Sequence, residues 1–461
     1  MLTLLIKLNN RTLYMALFLL FCSIATSVNA QQLLDNYVEE GFKNNIVLQQ
    51  KNISLEKAQY ALKTAKGLFL PTIEFQGGYQ TADGGRNIPL PLGDLLNPVF
   101  STLNQLTSSN KFAMLENQTI NFLPKNFYDA KVRTTVPIIN QDLAYNKRIV
   151  EQQLTLQEYE IQIYKRDLVK NIKTAYYNYL SALQAVDIYK STLTLATEGL
   201  RVNDKLLEGG KGLPAYVLRS KSEVENSKAQ VVSAEQQVIN ARLYFNFLLN
   251  RDSEELINLT LNDKDELAKV EGLIVAESVI NNREELKALN QVVSINKNVL
   301  KMNKQFAVPK LGAFVDLGSQ SEGFNFNSNT RYYMVGLQLD VPIFAGNRNN
   351  FKIKQSNLDV QNSELNSKLV LQQLFLATST AKNNLRAIYE TYQSSLKQLE
   401  AASSYQRLIE KGYTAGSNSF IETIDARNQY TNAKLLVNIN KYKVLSAMAD
   451  LERETATYLI H

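Results

Sequence analysis

A short segment that occurs twice places the strongest limit on how this chain can fold. The first copy is Val136-Pro137-Ile138, and the second is Val341-Pro342-Ile343, which continues to Gly346. Each copy follows roughly ten residues of alternating apolar and polar side chains, as in a β-strand, and each precedes a long helical pattern. Because proline has a fixed φ and no N–H for a neighbouring strand, we predict that Pro137, Pro342 and Gly346 form joints between strands and helices.

Both long helical patterns have the heptad spacing of a coiled coil, with apolar or small residues at alternating steps of four and three. The two series are Leu168, Ile172, Ala175, Tyr179, Ala182 and Val186, and Leu374, Thr378, Ala381, Leu385, Ile388 and Tyr392. Glycine-rich turns at 208–214 and 410–417 end them, and further helices are predicted over 215–250 and 418–458. At ~1.5 Å per residue, about 65 residues reach on the order of 100 Å, so such helices need packing along their whole length.

These elements predict a chain built from two structural repeats. Each repeat has the order helix, β-hairpin, long helix, turn and long helix. We expect the first repeat at 31–250, beginning with a helix at 33–68, and the second repeat at 276–461. An inter-repeat, equatorial segment at 251–275 separates them, and it contains a predicted short strand at 256–261.

Each predicted hairpin has one apolar face and one charged face. The first hairpin has a long tip that its Gly and Pro residues predict to be a loop, whereas the second tip is short and lies near Gly323. Strands of about ten residues have the length of tilted strands that cross a bilayer. Four strands cannot close, and open sheet edges are not tolerated in lipid. A polar-lined channel needs about a dozen strands, which three chains together would supply.

The first 30 residues have the pattern of a secretory signal peptide. Lys7 and Arg11 form a basic region, 13–25 is a short apolar run, and Val28-Asn29-Ala30 is a small-residue cleavage signal. The alternative of an N-terminal anchor helix requires about 20 apolar residues, which this run does not reach.

Composition argues against several classes of function. Cys22 is the only cysteine and His461 the only histidine, so we expect no disulfide, no metal site and no cofactor. Lipid attachment at Cys22 is an alternative for the signal region, but Phe21 stands where such signals have a small residue. The net charge of +6 comes from Lys and Arg residues spread along the helices, so we expect no nucleic-acid partner. No nucleophile–base pattern points to an enzyme.

The order of these elements resembles that of the TolC family of outer-membrane efflux proteins. Further motifs carry the resemblance: Val341-Pro342-Ile343-Phe344 with Gly346 and Arg348, Glu410-x-Gly412-Tyr413-x-x-Gly416, and the segment 421–427. The resemblance implies a mixed α and β fold, in which a homotrimer forms a twelve-stranded transmembrane β-barrel, with four strands per chain, continued by a long α-helical barrel of coiled-coil helices.

The resemblance also implies the function. The protein would be the passive exit duct of a tripartite efflux pump or a type I secretion system. It would lie in the outer membrane of a Gram-negative bacterium, in contact with lipid, and extend into the periplasm. Its partners would be a periplasmic adaptor protein and an inner-membrane transporter. The sequence does not identify the exported substrate.

By the same resemblance, a gate lies at the periplasmic end of the helices. Tyr413 matches the tyrosine of the family gate, and Glu422 and Asp425 match its pair of acidic residues. Asn418 stands where the family has an arginine, and Leu218 stands where some members have another acid. In a trimer the acidic pair would place six carboxylates around one axis, where they would attract cations.

Two plainer interpretations remain open at this stage. Glu422 and Asp425 also fit ordinary solvated charges on a helix, and Tyr413 also fits packing at a turn. The chain as a whole could be a non-channel coiled-coil scaffold of the periplasm or cell surface, with hairpins that form an ordinary sheet.

Overall fold

Heptad and period-two patterns produce the helices and strands of this chain. The structure is a computed structural model that describes residues 28–123, 125–259, 263–276 and 283–460. The helices are α1 (Val28–Asn44), α2 (Ile46–Gly67), α3 (Leu92–Leu106), α4 (Gln141–Glu208), α5 (Pro214–Leu249), α6 (Asp263–Ala268), α7 (Val270–Val275), α8 (Glu284–Lys304), α9 (Arg348–Thr414) and α10 (Phe420–Thr455). The strands are β1 (Thr72–Gln80), β2 (Asn87–Leu90), β3 (Gln118–Asn121), β4 (Phe127–Ile139), β5 (Lys310–Glu322) and β6 (Arg331–Asp340). Of the predicted signal segment 1–30, all but the last three residues lie outside the described part of the chain, as does His461.

The predicted helix at 33–68 is two helices, separated at Asn45. The Asn45 side chain accepts hydrogen bonds from the backbone N–H of Leu48 (3.1 Å) and from the Tyr164 hydroxyl (2.9 Å), and it donates to the Leu248 carbonyl (2.9 Å). Its first bond satisfies an N–H of the first turn of α2. A side chain that caps the next helix therefore explains the break.

The strand predicted at 256–261 is wrong for 256–259, which form no strand, while 260–261 lie outside the described residues. The Asn258 backbone N–H donates to the Tyr37 hydroxyl at 2.9 Å, and the Asn258 carbonyl accepts from the Tyr176 hydroxyl at 3.1 Å. Tyrosine side chains thus take the place of a neighbouring strand. Ile257 is buried in the same hydrophobic cluster as both tyrosines, which accounts for the apolar pattern.

The tip of the first hairpin is more ordered than the predicted loop. Strands β2 and β3 pair with each other, and α3 lies between them in sequence. Asn97 donates to the Leu115 carbonyl (3.0 Å) and accepts from the Leu115 N–H (2.8 Å), and Asn104 makes the same two bonds to Phe112 (2.8 and 3.0 Å). Asparagine side chains on α3 thus hold the following segment along the helix.

The other four strands form one antiparallel sheet in the order β1-β4-β5-β6. Its register places Phe75, Val132, Leu317 and Tyr333 in one row across the sheet, on the apolar face. The adjacent row includes Glu74, Arg133 and Asp316, on the charged face. In the described chain, β1 and β6 each pair on one side only.

The chain divides into two units. One contains the described residues up to Gln59, then Gln152–Ile295 and the chain from Val360 onward, and the other contains Tyr60–Glu151 and Asn296–Asp359. The sheet belongs to the second unit. The first unit holds the main hydrophobic cluster, which includes residues of both heptad series, such as Leu168, Ile172 and Leu385. No helix in the described ranges is both long and apolar enough to span a membrane.

Within the first unit, α4 and α10 lie antiparallel and contact each other over many turns. Lys173 pairs with Glu452 (2.5 Å), Asn438 donates to the Ser181 carbonyl (2.8 Å), and the Thr192 and Thr431 hydroxyls are 3.0 Å apart. As the residue numbers rise along α4, they fall along α10. These contacts lead from the middle of α4 and the end of α10 towards the two turns at 209–213 and 415–419.

Candidate functional site

The two turns that end the long helices share one backbone feature. The first joins α4 to α5, and the second joins α9 to α10. Gly210 has φ of +71° and Gly416 has φ of +78°, a left-handed conformation that favours glycine. The glycines at matching positions let both helices stop abruptly and return.

Tyr413, near the end of α9, connects the second helical hairpin to the first. Its hydroxyl donates to Asn203 Oδ1 on α4 (3.1 Å), and Asn203 Nδ2 donates to Ser220 Oγ on α5 (2.8 Å). Asn203 and Ser220 are only 2% and 1% exposed. Burial raises the pKa of the Tyr413 phenol above its ordinary value, which keeps the hydroxyl protonated as a donor.

An aromatic contact reinforces this connection. The Phe420 ring at the start of α10 is buried, with its centroid 6.0 Å from that of Tyr413 and 5.4 Å from that of Tyr216 on α5. Sequence reasoning selected Tyr413 but missed its partners Asn203, Ser220, Tyr216 and Phe420. The one available signal was the polar Asn203 inside an otherwise helical pattern.

Glu422 belongs to a capping box at the start of α10. Its Oε2 accepts from the backbone N–H of Ser419 (2.6 Å) and from Asn418 Nδ2 (3.4 Å), while Ser419 Oγ accepts from the Glu422 N–H (3.3 Å). The Ser419 backbone and side chain and then Asn418 lower the pKa of Glu422, so the exposed carboxylate stays ionised. The pattern Ser419-x-x-Glu422 was readable from sequence as a cap.

Asp425 lies one turn further along α10. It is exposed, and its Oδ2 accepts from Gln429 Nε2 at 2.8 Å. The structure therefore places Glu422, Asp425 and Asn418 near one another at the turn, while the Tyr413 hydroxyl points into the packing between helices. Leu218, also exposed, provides no acid on α5.

The charged face of the sheet is a second candidate site. Arg133 makes a bidentate ion pair with Asp316, with Nε–Oδ1 of 2.7 Å and Nη2–Oδ2 of 2.6 Å, and the Asp316 side chain is 1% exposed. Asp129 accepts from Lys131 (3.0 Å) and from the Tyr332 hydroxyl (2.8 Å). These groups give one side of the sheet a polar, hydrogen-bonded wall.

Comparison with known proteins finds similarity to outer membrane efflux proteins. A model of the family described as outer membrane efflux protein matches residues 275–456. Outer membrane protein TolC of Escherichia coli K12 is 20% identical over 355 residues, which are 72% of each chain. This chain is similar to the outer membrane efflux protein family over residues 275–456 and to TolC over most of its length. It is accordingly an outer-membrane protein that extends into the periplasm.

Further relatives show the same similarity. The cation efflux system protein CusC of the same E. coli strain is 19% identical over 280 residues, 59% of this chain and 60% of CusC. The crystal structure of the Campylobacter jejuni CmeC outer membrane channel matches with a TM-score of 0.70 at 15% identity, over 92% of this chain and 85% of that one. A CusC crystal structure matches with a TM-score of 0.74 at 13% identity, over 92% of both chains. These likenesses establish the fold of this chain.

The predicted joints of this chain lie at different places relative to their strands. Pro342 lies two residues beyond the end of β6, and Gly346 has φ of +60° just before α9 begins at Arg348. Pro137, by contrast, lies inside β4, which continues to Ile139 through a register shift. A bulge accommodates a proline within a strand, and the expectation that β4 ends at Pro137 is therefore wrong.

Proposed function

We propose that this outer-membrane efflux protein is the passive, trimeric exit duct of a tripartite efflux pump or a type I secretion system. The observation that carries the proposal is the four-stranded sheet with an apolar face and a charged face, whose edge strands β1 and β6 pair with no further strand among the described residues. In lipid such edges must pair. Three copies joined edge to edge would supply twelve strands, enough for a barrel with a polar interior.

The helices support assembly of several copies. Phe351, Leu358 and Leu365 recur at seven-residue intervals on α9, and each is 63% exposed in the single chain. On α5, Val232 and Ile239 have the same spacing and are also exposed. Apolar stripes of this spacing are the seams of coiled coils, so we infer that neighbouring protomers cover them and form the α-helical barrel.

A gate at the two turns is part of the proposal. The hydrogen bonds from Tyr413 to Asn203 and from Asn203 to Ser220 hold the second helical hairpin against the first. A movement of α9 and α10 that widens the duct therefore has to break these bonds. Glu422 and Asp425, with Asn418 beside them, would line the constriction. A periplasmic adaptor and an inner-membrane transporter would supply the contacts that favour the open state.

The decisive experiment combines mass and conductance. The full chain is extracted from outer membranes in detergent, its oligomer mass is measured by native mass spectrometry, and the same preparation is inserted into planar lipid bilayers. We expect three copies per particle and discrete ion conductance. A monomer, or a trimer that never conducts, would refute the duct and favour a scaffold.

The acidic constriction has its own test. Glu422→Gln/Asp425→Asn is compared with Glu225→Gln, which changes an exposed acid on α5 that pairs with Lys228. We expect the double variant to reduce cation selectivity and Glu225→Gln to leave it unchanged. Equal selectivity in all three proteins would remove the acidic pair from the proposal.

A further inference from the structure

Arg427 on α10 is a partly buried cation without an ion-pair partner among the described residues. Its Nε atom is buried and has no hydrogen-bond partner among the described residues, and no described carboxylate forms an ion pair with it. Burial lowers the pKa of the Arg427 guanidinium, and the more distant carboxylates of Glu410 and Glu223 oppose this effect only in part. An arginine held in this way destabilises the arrangement that buries it.

The residue opposite Arg427 explains how the guanidinium fits. Gly199 on α4 has no side chain, and a Cβ atom built there would lie 3.3 Å from Arg427 Nη2. At the next contact along the same helix pair, the Thr192 and Thr431 hydroxyls satisfy each other. The Arg427 side chain therefore has unsatisfied hydrogen-bonding capacity where it faces Gly199. This position lies between the threonine pair and the Tyr413–Asn203 bond at the turn.

Separation of the α9–α10 hairpin from α4 would affect the carboxylates of Glu410 and Glu223 differently. Glu410 is on α9, in the same helical hairpin as Arg427, and it accepts from Gln406 Nε2 at 2.7 Å. Glu223 is on α5 and pairs with Arg219 at 2.7 Å. If the α9–α10 hairpin separates from α4, Glu410 moves together with Arg427, whereas Glu223 stays with the first hairpin.

We propose that Arg427 is a positioning residue of the gate, which favours separation of the α9–α10 hairpin from α4. Against Gly199 the guanidinium is partly buried and its Nε atom lacks a hydrogen-bond partner. After separation it becomes fully hydrated and reaches Glu410. The Tyr413–Asn203 bond opposes this movement, so the two contacts set the balance between the closed and open positions. The inference rests on the proposed gated duct.

The test uses the full-length protein in planar bilayers with Arg427→Met, a neutral side chain of similar length. We expect open probability to fall by roughly fivefold or more, the range of a typical coupling between states. The unfolding midpoint of the same variant should rise, because it removes a partly buried charge that has no ion-pair partner among the described residues. A purely structural arginine would instead lower the midpoint when removed.

Three further variants test the charge of Arg427 and its acceptor and provide a control. Arg201→Met is the matched control, since Arg201 is an exposed arginine on α4 that pairs with Glu198, and it should leave open probability unchanged. Arg427→Lys keeps the charge and should retain most of the opening. Glu410→Gln removes the acceptor without touching Arg427, and it should reduce opening much as Arg427→Met does.

The outcomes separate this inference from the duct itself. If the wild type conducts and Arg427→Met opens as often as Arg201→Met, the role of Arg427 is refuted and the duct stands. The role is also refuted if Arg427→Met lowers the unfolding midpoint and Arg427→Lys fails to restore opening. A wild type that never conducts refutes the duct instead.

Discussion

The two turns at the ends of the long helices have the same backbone but different chemistry. Both contain a glycine with positive φ, Gly210 and Gly416. The first turn leads into α5 through Leu213 and Pro214 with no side-chain cap, whereas the second leads into α10 through the Ser419–Glu422 capping box. A shared geometry therefore leaves each turn free to carry its own side chains: the second turn carries Tyr413, Glu422 and Asp425, and the first carries Glu208 and Tyr216.

The largest effect is expected where the two hairpins meet. Asn203→Leu removes the acceptor of the Tyr413 hydroxyl and the donor to Ser220, and we expect it to lower the free energy of unfolding by about 2–3 kcal/mol. Chemical denaturation of the detergent-solubilised protein measures the change. Asn178→Leu, an exposed site on the same helix, is the control and should shift stability by no more than about 0.5 kcal/mol.

The next largest effect tests the left-handed backbone conformation that Gly210 and Gly416 share. A Cβ atom at Gly210 or Gly416 would meet nothing within 4 Å, so alanine at either position introduces strain from φ alone. We expect Gly210→Ala and Gly416→Ala each to cost about 1–2 kcal/mol. Gly67, at the end of α2, is equally open but has no positive φ, so Gly67→Ala should be neutral or stabilising. Unequal costs at the two turns would contradict their equivalence.

Exchanging the caps should give effects of opposite sign. Ser419→Ala removes the cap of α10 and should cost about 1 kcal/mol. Leu213→Ser offers α5 a cap that it lacks and should stabilise by about 0.5 kcal/mol or more, since the Leu213 side chain is exposed and loses little burial. Denaturation midpoints of both variants check the pair. If Leu213→Ser destabilises, the first turn depends on its apolar residue for some other contact.

The smallest effect is a dependence on pH that only the second turn should show. The capping bonds lower the pKa of Glu422 in the folded protein below its ordinary value of 4.5. Its contribution to stability is therefore full above pH 4.5 and is lost as the pH falls through the lowered pKa. Glu422→Gln keeps an acceptor for Ser419 but does not titrate, so its midpoint should fall less than that of wild type between pH 6 and pH 3. Parallel curves would exclude this contribution.

The sequence predicted the elements well because their signals are local. Heptad spacing over dozens of residues places α4 and α9, and alternation places the four long strands. It missed the break at Asn45, because a single asparagine within a helical pattern does not reveal its distant partners Leu248 and Tyr164. It also assigned a strand to 256–259, because burial against two tyrosines produces the same apolar pattern as a sheet.

The candidate site was predictable in part. A family resemblance predicted the site residues Tyr413, Asn418, Glu422 and Asp425. The capping role of Glu422 was predictable from the Ser419-x-x-Glu422 spacing. Asn203 could not be found in this way, since it lies 210 residues from Tyr413 in sequence and its role exists only where α4 packs against α9. Arg427 belongs to the sequence motif at 421–427, but the sequence does not show that its Nε atom lacks a hydrogen-bond partner.

The sequence by itself determined which segments are helices, strands and turns, and that the strands have one apolar and one charged face, because backbone propensity and periodicity act over neighbouring residues. Only the tertiary structure decided which polar groups meet. It pairs Arg133 with Asp316, connects Tyr413 through Asn203 to Ser220 by hydrogen bonds, and places Arg427 against Gly199. The free energy of a buried polar group depends on the partner at hydrogen-bond distance, and that partner comes from a distant part of the chain.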